Sequence, residues 1–369
     1  MNVLLFLAAL CTAIYLLLLL YYRLNWRPET KFSEVPSLPY LSVIIPARNE
    51  ASGIAECLNT VTQQNYPKDL YEILVIDDGS EDETPEIVRR FSSVRLLNTS
   101  KDARGKKQAL TLGIAESRGE LIVTTDADCI VQGGWLRSIA DTFDTQTMMA
   151  TGPVLATHGD TAFERFQVLD LTGFAVITAS GIHGRLHHLA NGANMAFRKI
   201  AFERVKGFAQ NTWFASGDDV FLAQAIAKAF QGSLRYNWDA AATVYTSPIG
   251  SLQSFIRQRK RWATKNVALP EKSVFLIWAL VWLTFVLILV TSVVAVFHTL
   301  TEMCISIGLL LSVAAGEYFF LKRPVRHFEI ERAMKQYWVS FLIHYVYIIY
   351  IGLASMFSKE YMWKGRAVR

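Results

Sequence analysis

The sequence predicts an α/β domain with a largely parallel sheet, carried by one membrane-spanning helix before it and about three after it. Short apolar, β-branched runs alternate with helical patterns between Leu41 and Thr125, and alternation at such short intervals makes right-handed βαβ units. The hydrophobic runs Val3 to Tyr22, Val274 to Phe297, Cys304 to Leu321 and Tyr337 to Phe357 are each about one bilayer thickness long. Composition agrees. A content of 52% hydrophobic residues with mean hydropathy +0.24 is too apolar for one soluble domain, and 19% charged residues is too many for a chain wholly inside lipid.

Taken in order, the first run has neither a basic leading segment nor a small-residue cleavage site, so it reads as an anchor rather than a signal peptide. Arg23 and Arg27 follow it, which puts the residues after Tyr22 in the cytoplasm. Pro28 to Pro39 is a polar linker. Leu41 to Ile45, Glu72 to Ile76, Val94 to Leu97 and Leu121 to Thr125 are the expected strands. Ala51 to Gln64, Thr84 to Phe91 (with Pro85 in its first turn) and Lys106 to Glu116 are the helices between them. Trp135 to Phe143 is a further helix, and Thr161 to Ala179 is a long apolar segment expected to lie against the membrane surface. Asn191 to Phe197 is a turn running into a strand, Val220 to Phe230 is helical, and Leu234 to Tyr245 offers short strands. Leu252 to Val267 is a basic amphipathic helix carrying Arg257, Arg259, Lys260, Arg261 and Lys265.

Lys322, Arg323, Arg326, Arg332 and Lys335 lie between the last two hydrophobic runs, a cytoplasmic loop that agrees with the first anchor. Lys359, Lys364, Arg366 and Arg369 would then lie outside, against the rule, so re-entry of the last segment stays open. The expected organisation is an anchor over residues 1–27, a cytoplasmic domain with interfacial helices over 28–270, and membrane helices over 271–369. The net charge of +5 gathers at the ends of hydrophobic runs and forms no nucleic-acid stripe. Cys11, Cys57, Cys129 and Cys304 form no Cys-x-x-Cys pair, so neither a zinc site nor a disulfide framework is expected. Cys129 reads as a small buried hydrophobe. His183, His187 and His188 read as surface or hinge residues. Glu317 and His344 lie in hydrophobic runs close to charged loops and are expected to snorkel.

The chemistry starts where Leu121 to Thr125 ends in Asp126-Ala127-Asp128. On extended backbone alternate residues point the same way, so both carboxylates can face one point. Their hard oxygens suit Mg²⁺ or Mn²⁺ with phosphate completing the shell. A solvated turn explains the pair equally well if nothing else gathers there. Ser42-Val43-Ile44-Ile45-Pro46-Ala47-Arg48-Asn49-Glu50 ends at the carboxyl edge of the sheet, and Asn49 with Glu50 also suits a helix cap. Asp77-Asp78-Gly79-Ser80 suits an Asx-turn. Arg104-Gly105-Lys106-Lys107-Gln108-Ala109-Leu110 puts Lys106 at a helix N-terminus, a ready diphosphate site, and leaves Lys107 as an exposed helix charge. In Ser216-Gly217-Asp218-Asp219 two carboxylates adjoin, and a like charge with partial burial raises an Asp above its usual ~3.9 toward a working base. In Gln258-Arg259-Lys260-Arg261-Trp262, helical spacing brings Gln258, Arg261 and Trp262 to one face. Arg261 suits a phosphate-like anion and Trp262 offers an apolar face for stacking, whereas Arg259 and Lys260 read as interfacial charges.

In this order, from Leu41 to Trp262, the motifs resemble the membrane-integrated glycosyltransferases of family 2 with a GT-A domain. Chitin-oligosaccharide, hyaluronan, poly-N-acetylglucosamine and cellulose synthases and ceramide glucosyltransferase are similar. The resemblance implies that Pro46, Ala47, Asn49, Glu50, Asp78, Lys106 and Asp126 bind the donor, with Asp78 accepting from uracil N3–H. It implies that Asp128 and Asp126 hold Mg²⁺ or Mn²⁺, that Asp219 is the general base and that Arg261 steadies the leaving group. Asn194, Asp218, Gln258 and Trp262 fall on the acceptor side. Asp218 departs from the commoner Glu at its position, which puts its own role in doubt. The implied activity is inverting, metal-dependent transfer from a UDP-sugar to a membrane lipid or glycan at the cytoplasmic membrane face, with accessory biosynthetic subunits as possible partners and no nucleic acid. A processive oligosaccharide or polysaccharide synthase stays open. So does an inactive sugar-nucleotide-binding subunit, although a binder has no need of a base.

Overall fold

The computed structural model describes residues 1–28, 37–100, 105–157, 159–210, 217–265, 268–357, 361–363 and 366–368. Arg104, Ser216, Val267, Lys359, Lys364, Arg369 and most of the Pro28 to Pro39 linker lie outside the described residues. The chain begins with helix α1 (Asn2–Asn25) and then alternates β1 (Leu41–Ala47), α2 (Ile54–Thr62), β2 (Tyr71–Asp77), α3 (Thr84–Val88), β3 (Val94–Asn98), α4 (Lys106–Glu116) and β4 (Leu121–Thr124). Next come β5 (Cys129–Val131), α5 (Trp135–Thr142), β6 (Met149–Thr151), β7 (Val154–Ala156) and the long α6 (Ala162–His183). β8 (Met195–Arg198), α7 (Lys199–Arg204), α8 (Asp218–Ala229), β9 (Leu234–Tyr236) and β10 (Val244–Thr246) follow. The last helices are α9 (Leu252–Lys265), α10 (Lys272–Ala295), α11 (Leu300–His327) and α12 (Tyr337–Phe357).

These elements form two compact units. The α/β unit holds residues 27–157 and 188–247 with the last residues of the chain, and the helical unit holds 1–26, 158–187 and 248–359.

In the α/β unit the described strands form a sheet in the order β3-β2-β1-β4-β8-β6-β9. β1 pairs in parallel with β2 on one side and β4 on the other, Leu41 lying opposite both Tyr71 and Leu121. The chain builds outward from β1 to β3, then crosses back so that β4 lies on the other side of β1. That reversal is a topological switch point, where the carboxyl ends of adjacent strands open a crevice. Beyond β4 the largely parallel sheet becomes mixed: β8 runs antiparallel to β4, and β6 antiparallel to β8. The reason is the connection. β8 arrives from α6 and the Asn191 turn, not through a crossover helix laid on the sheet, so nothing demands a parallel partner. A smaller sheet has the order β5-β10-β7.

Helices cover both faces of β1, which explains its unbroken apolar run. Val43 and Ile45 pack with Ile54, Cys57, Leu58 and Val61 of α2. On the other face α4 comes so close that a Cβ on Gly113 would lie 2.6 Å from Ile44 Cγ2. Burying each such Val, Leu or Ile contributes about 1.5–3 kcal/mol.

The helical unit contains α1, α6 and α9 to α12. Among the described residues, four helices (Asn2–Asn25, Lys272–Ala295, Leu300–His327 and the segment Glu331–Met356) are long and apolar enough to cross a membrane. α6 starts at a capping box, with Thr161 and Glu164 each accepting from the other's backbone N–H. It was expected on the membrane surface but is buried along most of its length, from Phe166 to Ile182, against α1, α11 and α12. A helix apolar on nearly all sides needs protein around it, not an interface. Three further expectations are corrected inside this unit. Glu317 does not snorkel but accepts a hydrogen bond from Tyr15 at 2.8 Å. His344 lies 3.8 Å from the same carboxylate. His187 is buried, its Nε2 2.9 Å from the Tyr22 hydroxyl.

Backbone meets backbone closely at Gly119, whose N–H donates to Ser42 Oγ at 2.8 Å. A Cβ there would lie 2.6 Å from Ser42 N, so β1 and β4 would have to part. Gly119→Ala is expected to destabilise the protein by about 1–3 kcal/mol, read as a fall in apparent Tm with unchanged secondary structure by circular dichroism. An unchanged Tm would contradict this packing.

Candidate functional site

The site grows from the carboxyl end of β4. Asp126 follows that strand, half-buried, and Asp128 is exposed two residues on. Lys106, the first residue of α4, makes an ion pair with Asp126 Oδ1. The turn before α2 closes against the pair from the other side, where a Cβ on Gly53 would lie 3.3 Å from Asp128 Cα. Hence two carboxylates are offered to solvent beside bare backbone. Among the described residues no group of three or more His, Cys, Asp or Glu gathers to hold a metal. The donor set fits a hard divalent cation that takes its remaining ligands from water and phosphate.

α8 brings the next two groups. Its N-cap Gly217 is left-handed at φ 91°, a conformation that glycine reaches at little cost. Asp219 Oδ2 accepts from Gly192 N–H at 3.0 Å, while Gly192 O accepts from Thr124 Oγ1 at 2.7 Å. One glycine therefore ties the Asp219 carboxylate to the last residue of β4. A Cβ at Gly192 would lie 3.7 Å from Asp219 Oδ2 and 3.9 Å from Lys106 Nζ. Asp126, Lys106 and Asp219 thus border one space.

Lys107 is not the exposed helix charge that the sequence suggests. Its side chain is 15% exposed and its ammonium lies 3.2 Å from Asp218 Oδ1. Asp218, placed on the acceptor side from sequence, is itself only 6% exposed. Burial pushes its carboxyl above the usual range, Asp219 adds to the rise, and Lys107 opposes it. Two lysines at the positive end of a helix are unfavourable locally, and each is offset by a carboxylate from another element.

Asp77 and Asp78 divide two tasks. Asp77 forms the Asx-turn, accepting from Gly79 and Ser80 N–H at 3.2 Å. Asp78 is 2% exposed, and its Oδ1 accepts from Gly105 N–H at 2.7 Å and from Thr99 Oγ1 at 3.0 Å. It fastens the start of α4 to β2. Asn49 is no helix cap: α2 begins at Ile54 with Gly53 as its N-cap and no side-chain cap. Asn49 is left-handed at φ 52° and accepts from Glu81 N–H at 2.8 Å, while Glu50 N–H donates to Thr84 Oγ1 at 2.8 Å. Pro46 and Ala47 close β1 opposite Ile76 and Asp77.

Asn194, which the resemblance places on the acceptor side, is held by its own protein. It is buried, accepts from Trp135 Nε1 at 3.0 Å and donates to Pro153 O and Ala242 O, both at 2.8 Å. These bonds occupy its side chain, so nothing in its geometry supports acceptor binding. Cys129 is buried as expected, and burial pushes both its thiol and that of Cys57 up, with Asp126 and Asp128 adding to each.

Gln258, Arg261 and Trp262 belong to α9 in the helical unit. There the inward face is Phe255, Arg259 and Trp262. Arg259 is 5% exposed and pairs with Asp170 of α6, which corrects its reading as an interfacial charge. Trp262 lies over Arg259, while Gln258 and Arg261 are half-buried beside that face. Lys107, Gly192 and Asp170 were missed from sequence because each depends on a partner distant along the chain.

The raised carboxyl of Asp218 has a signed consequence. Its folded state keeps the proton above the unfolded value, so the stability it contributes is present at low pH and is lost as pH rises through the folded value. Between those values wild-type stability should fall relative to Asp218→Asn by up to about 1.4 kcal/mol per pH unit. Melting both proteins from pH 4 (about the unfolded Asp value) upward checks the sign, and parallel curves would refute it.

The chain has counterparts among known proteins. A family model described as Glycosyl transferase family 2 matches residues 42–205. Glycosyltransferase AglE of Haloferax volcanii is 32% identical over 257 residues, covering 66% of this chain and 81% of that protein. A dolichyl-phosphate beta-glucosyltransferase of Trichomonas vaginalis is 38% identical over 103 residues, 25% of this chain and 30% of that one. The mannosyltransferase PcManGT from Pyrobaculum calidifontis, solved in complex with GDP-Man and Mn²⁺, aligns over 97% of this chain and 100% of its own with a TM-score of 0.60. At 21% identity that last likeness is one of fold. The chain is a glycosyltransferase and belongs to glycosyl transferase family 2.

Proposed function

We propose that this glycosyltransferase moves a sugar from a UDP-sugar to a membrane lipid or glycan acceptor, by one inverting displacement, at the cytoplasmic membrane face. The observation that carries the reading is the gathering of Asp126, Lys106, Gly192 and Asp219 at the β1/β4 switch point. It joins a place for a diphosphate to a place for a base.

Asp219 takes the proton from the acceptor hydroxyl as its oxygen attacks the anomeric carbon. Gly192 N–H on Oδ2 and Val220 N–H on Oδ1 hold the carboxylate in one orientation. The bond from the anomeric carbon to the diphosphate breaks on the opposite side, so an α-linked donor yields a β-linked product. Lys106 and Arg261 stabilise the negative charge that collects on the departing UDP. Asp126 and Asp128 would hold the divalent cation, which supplies Lewis-acid neutralisation of that diphosphate. Pro46, Ala47, Asn49, Glu50 and Asp78 bound the base and ribose end of the donor. Gln258 and Trp262 serve the acceptor. Asp218 supports this site from beneath, as the buried partner of Lys107.

A lipid acceptor is favoured by the company of the fold. Four helices of membrane-spanning length accompany the α/β unit among the described residues, and one relative is named for transfer to dolichyl phosphate. Incubating membranes with radiolabelled UDP-glucose or UDP-N-acetylglucosamine and partitioning the products tests this. Label in the organic phase supports a lipid acceptor, whereas long water-soluble chains would support a processive synthase.

Asp219→Asn should keep UDP binding and lower transfer by about 10²–10⁴-fold. Intact product formation in that variant would remove Asp219 from the mechanism. Chelation with EDTA should abolish transfer by the wild type, and Mn²⁺ or Mg²⁺ should restore it. Full activity in the chelator would refute metal dependence.

A further inference from the structure

Asp170 lies on α6 and belongs to none of the motifs above. Its Oδ2 meets Arg259 Nη2 at 2.5 Å, and its Oδ1 lies 4.0 Å from His344 Nδ1. His344 Nε2 is 3.8 Å from Glu317 Oε1, which also accepts from the Tyr15 hydroxyl at 2.8 Å. The Arg259 guanidinium is layered over two rings of its own helix, Phe255 at 4.7 Å and Trp262 at 4.3 Å. Trp262 also meets Phe174 of α6, with 6.3 Å between ring centroids. α6 therefore grips α9 at two levels: Asp170 holds Arg259, and Phe174, one turn on, holds Trp262.

Helix packing alone does not call for this arrangement. A buried ion pair is often no more stabilising than apolar residues of the same volume, and its best-attested use is to specify one arrangement over its neighbours. A guanidinium held to a carboxylate at one nitrogen, with aromatic rings against its face, restricts both the rotation and the height of a helix. Gln258 and Arg261 flank Arg259 and Trp262 in sequence, so a small rotation of α9 re-aims both.

We propose that Asp170 is a positioning residue for the transfer reaction, acting through Arg259 and the Trp262 ring to set the rotation of α9 and hence the aim of Gln258 and Arg261. The proposal rests on the reading of Arg261 given above. His344 and Glu317 back Asp170 from α12 and α11.

The test uses the full chain in nanodiscs. Asp170→Asn should lower kcat by about 10- to 100-fold, the loss that follows misplacement by about 1 Å, while UDP affinity is unchanged. Asp170→Glu should recover much of that loss. In the same Asp170→Asn protein, hydrogen exchange over residues 252–265 should quicken while exchange over 106–116 stays as in the wild type. Loss of turnover with unaltered exchange in α9, or no change in either, would overturn the proposal. Should Asp170→Asn fail to fold, Arg259→Lys takes its place with the same readouts, because it keeps the charge and loses the planar fork. Arg261→Ala run in parallel separates the two ideas. If it leaves turnover intact the reading of Arg261 falls, while exchange in α9 still decides whether Asp170 holds that helix.

Discussion

Two adjacent lysines at the start of α4 hold the site of the α/β unit together. Lys106 turns to Asp126 at the end of β4, and Lys107 turns to Asp218 at the start of α8. A helix N-terminus repels cations, so neither lysine is comfortable there without its carboxylate. Those ion pairs connect three elements well separated in sequence. Asp78, which anchors Gly105 N–H from beneath, fixes where the pairs form. The rest of the site hangs on this fork.

The two lysines differ in exposure, and the difference assigns their work. Lys107 and Asp218 are both largely buried, so their pair acts as a fastening in a low dielectric, where removing one partner leaves a costly charge. Lys106 and Asp126 stay partly open to solvent, where an anion can compete for the ammonium and a cation for the carboxylate. On the proposed reading, an ion pair at this position holds both groups in place for a nucleoside diphosphate and its metal. One chemical motif, repeated at consecutive residues, is thus buried once and left open to solvent once.

In the helical unit, charge again specifies arrangement. Asp170, Arg259, His344 and Glu317 are surrounded by aromatic rings, among them Phe255, Phe285 and Tyr347. Such surroundings make unpaired charge costly and leave few alternative packings. α6 accordingly reads as an internal strut of this unit and not as a float on lipid.

The sequence by itself determined the βαβ order through β4, the four long apolar helices, and the placing of Asp126, Asp128 and Asp219 at element ends. Each of these depends on local periodicity or on where a strand stops, which neighbouring residues suffice to set. Only the tertiary structure decided what Lys107, Gly192, Asn194 and Asp170 do, because each finds its partner through contacts between distant segments. Lys107 lies 111 positions before Asp218 and Asp170 lies 89 before Arg259. Nor does local pattern show whether a charged residue in an apolar run will snorkel, as expected of Glu317, or find a hydroxyl such as that of Tyr15 inside. That outcome depends on which helix packs beside it, and packing is a property of the folded chain.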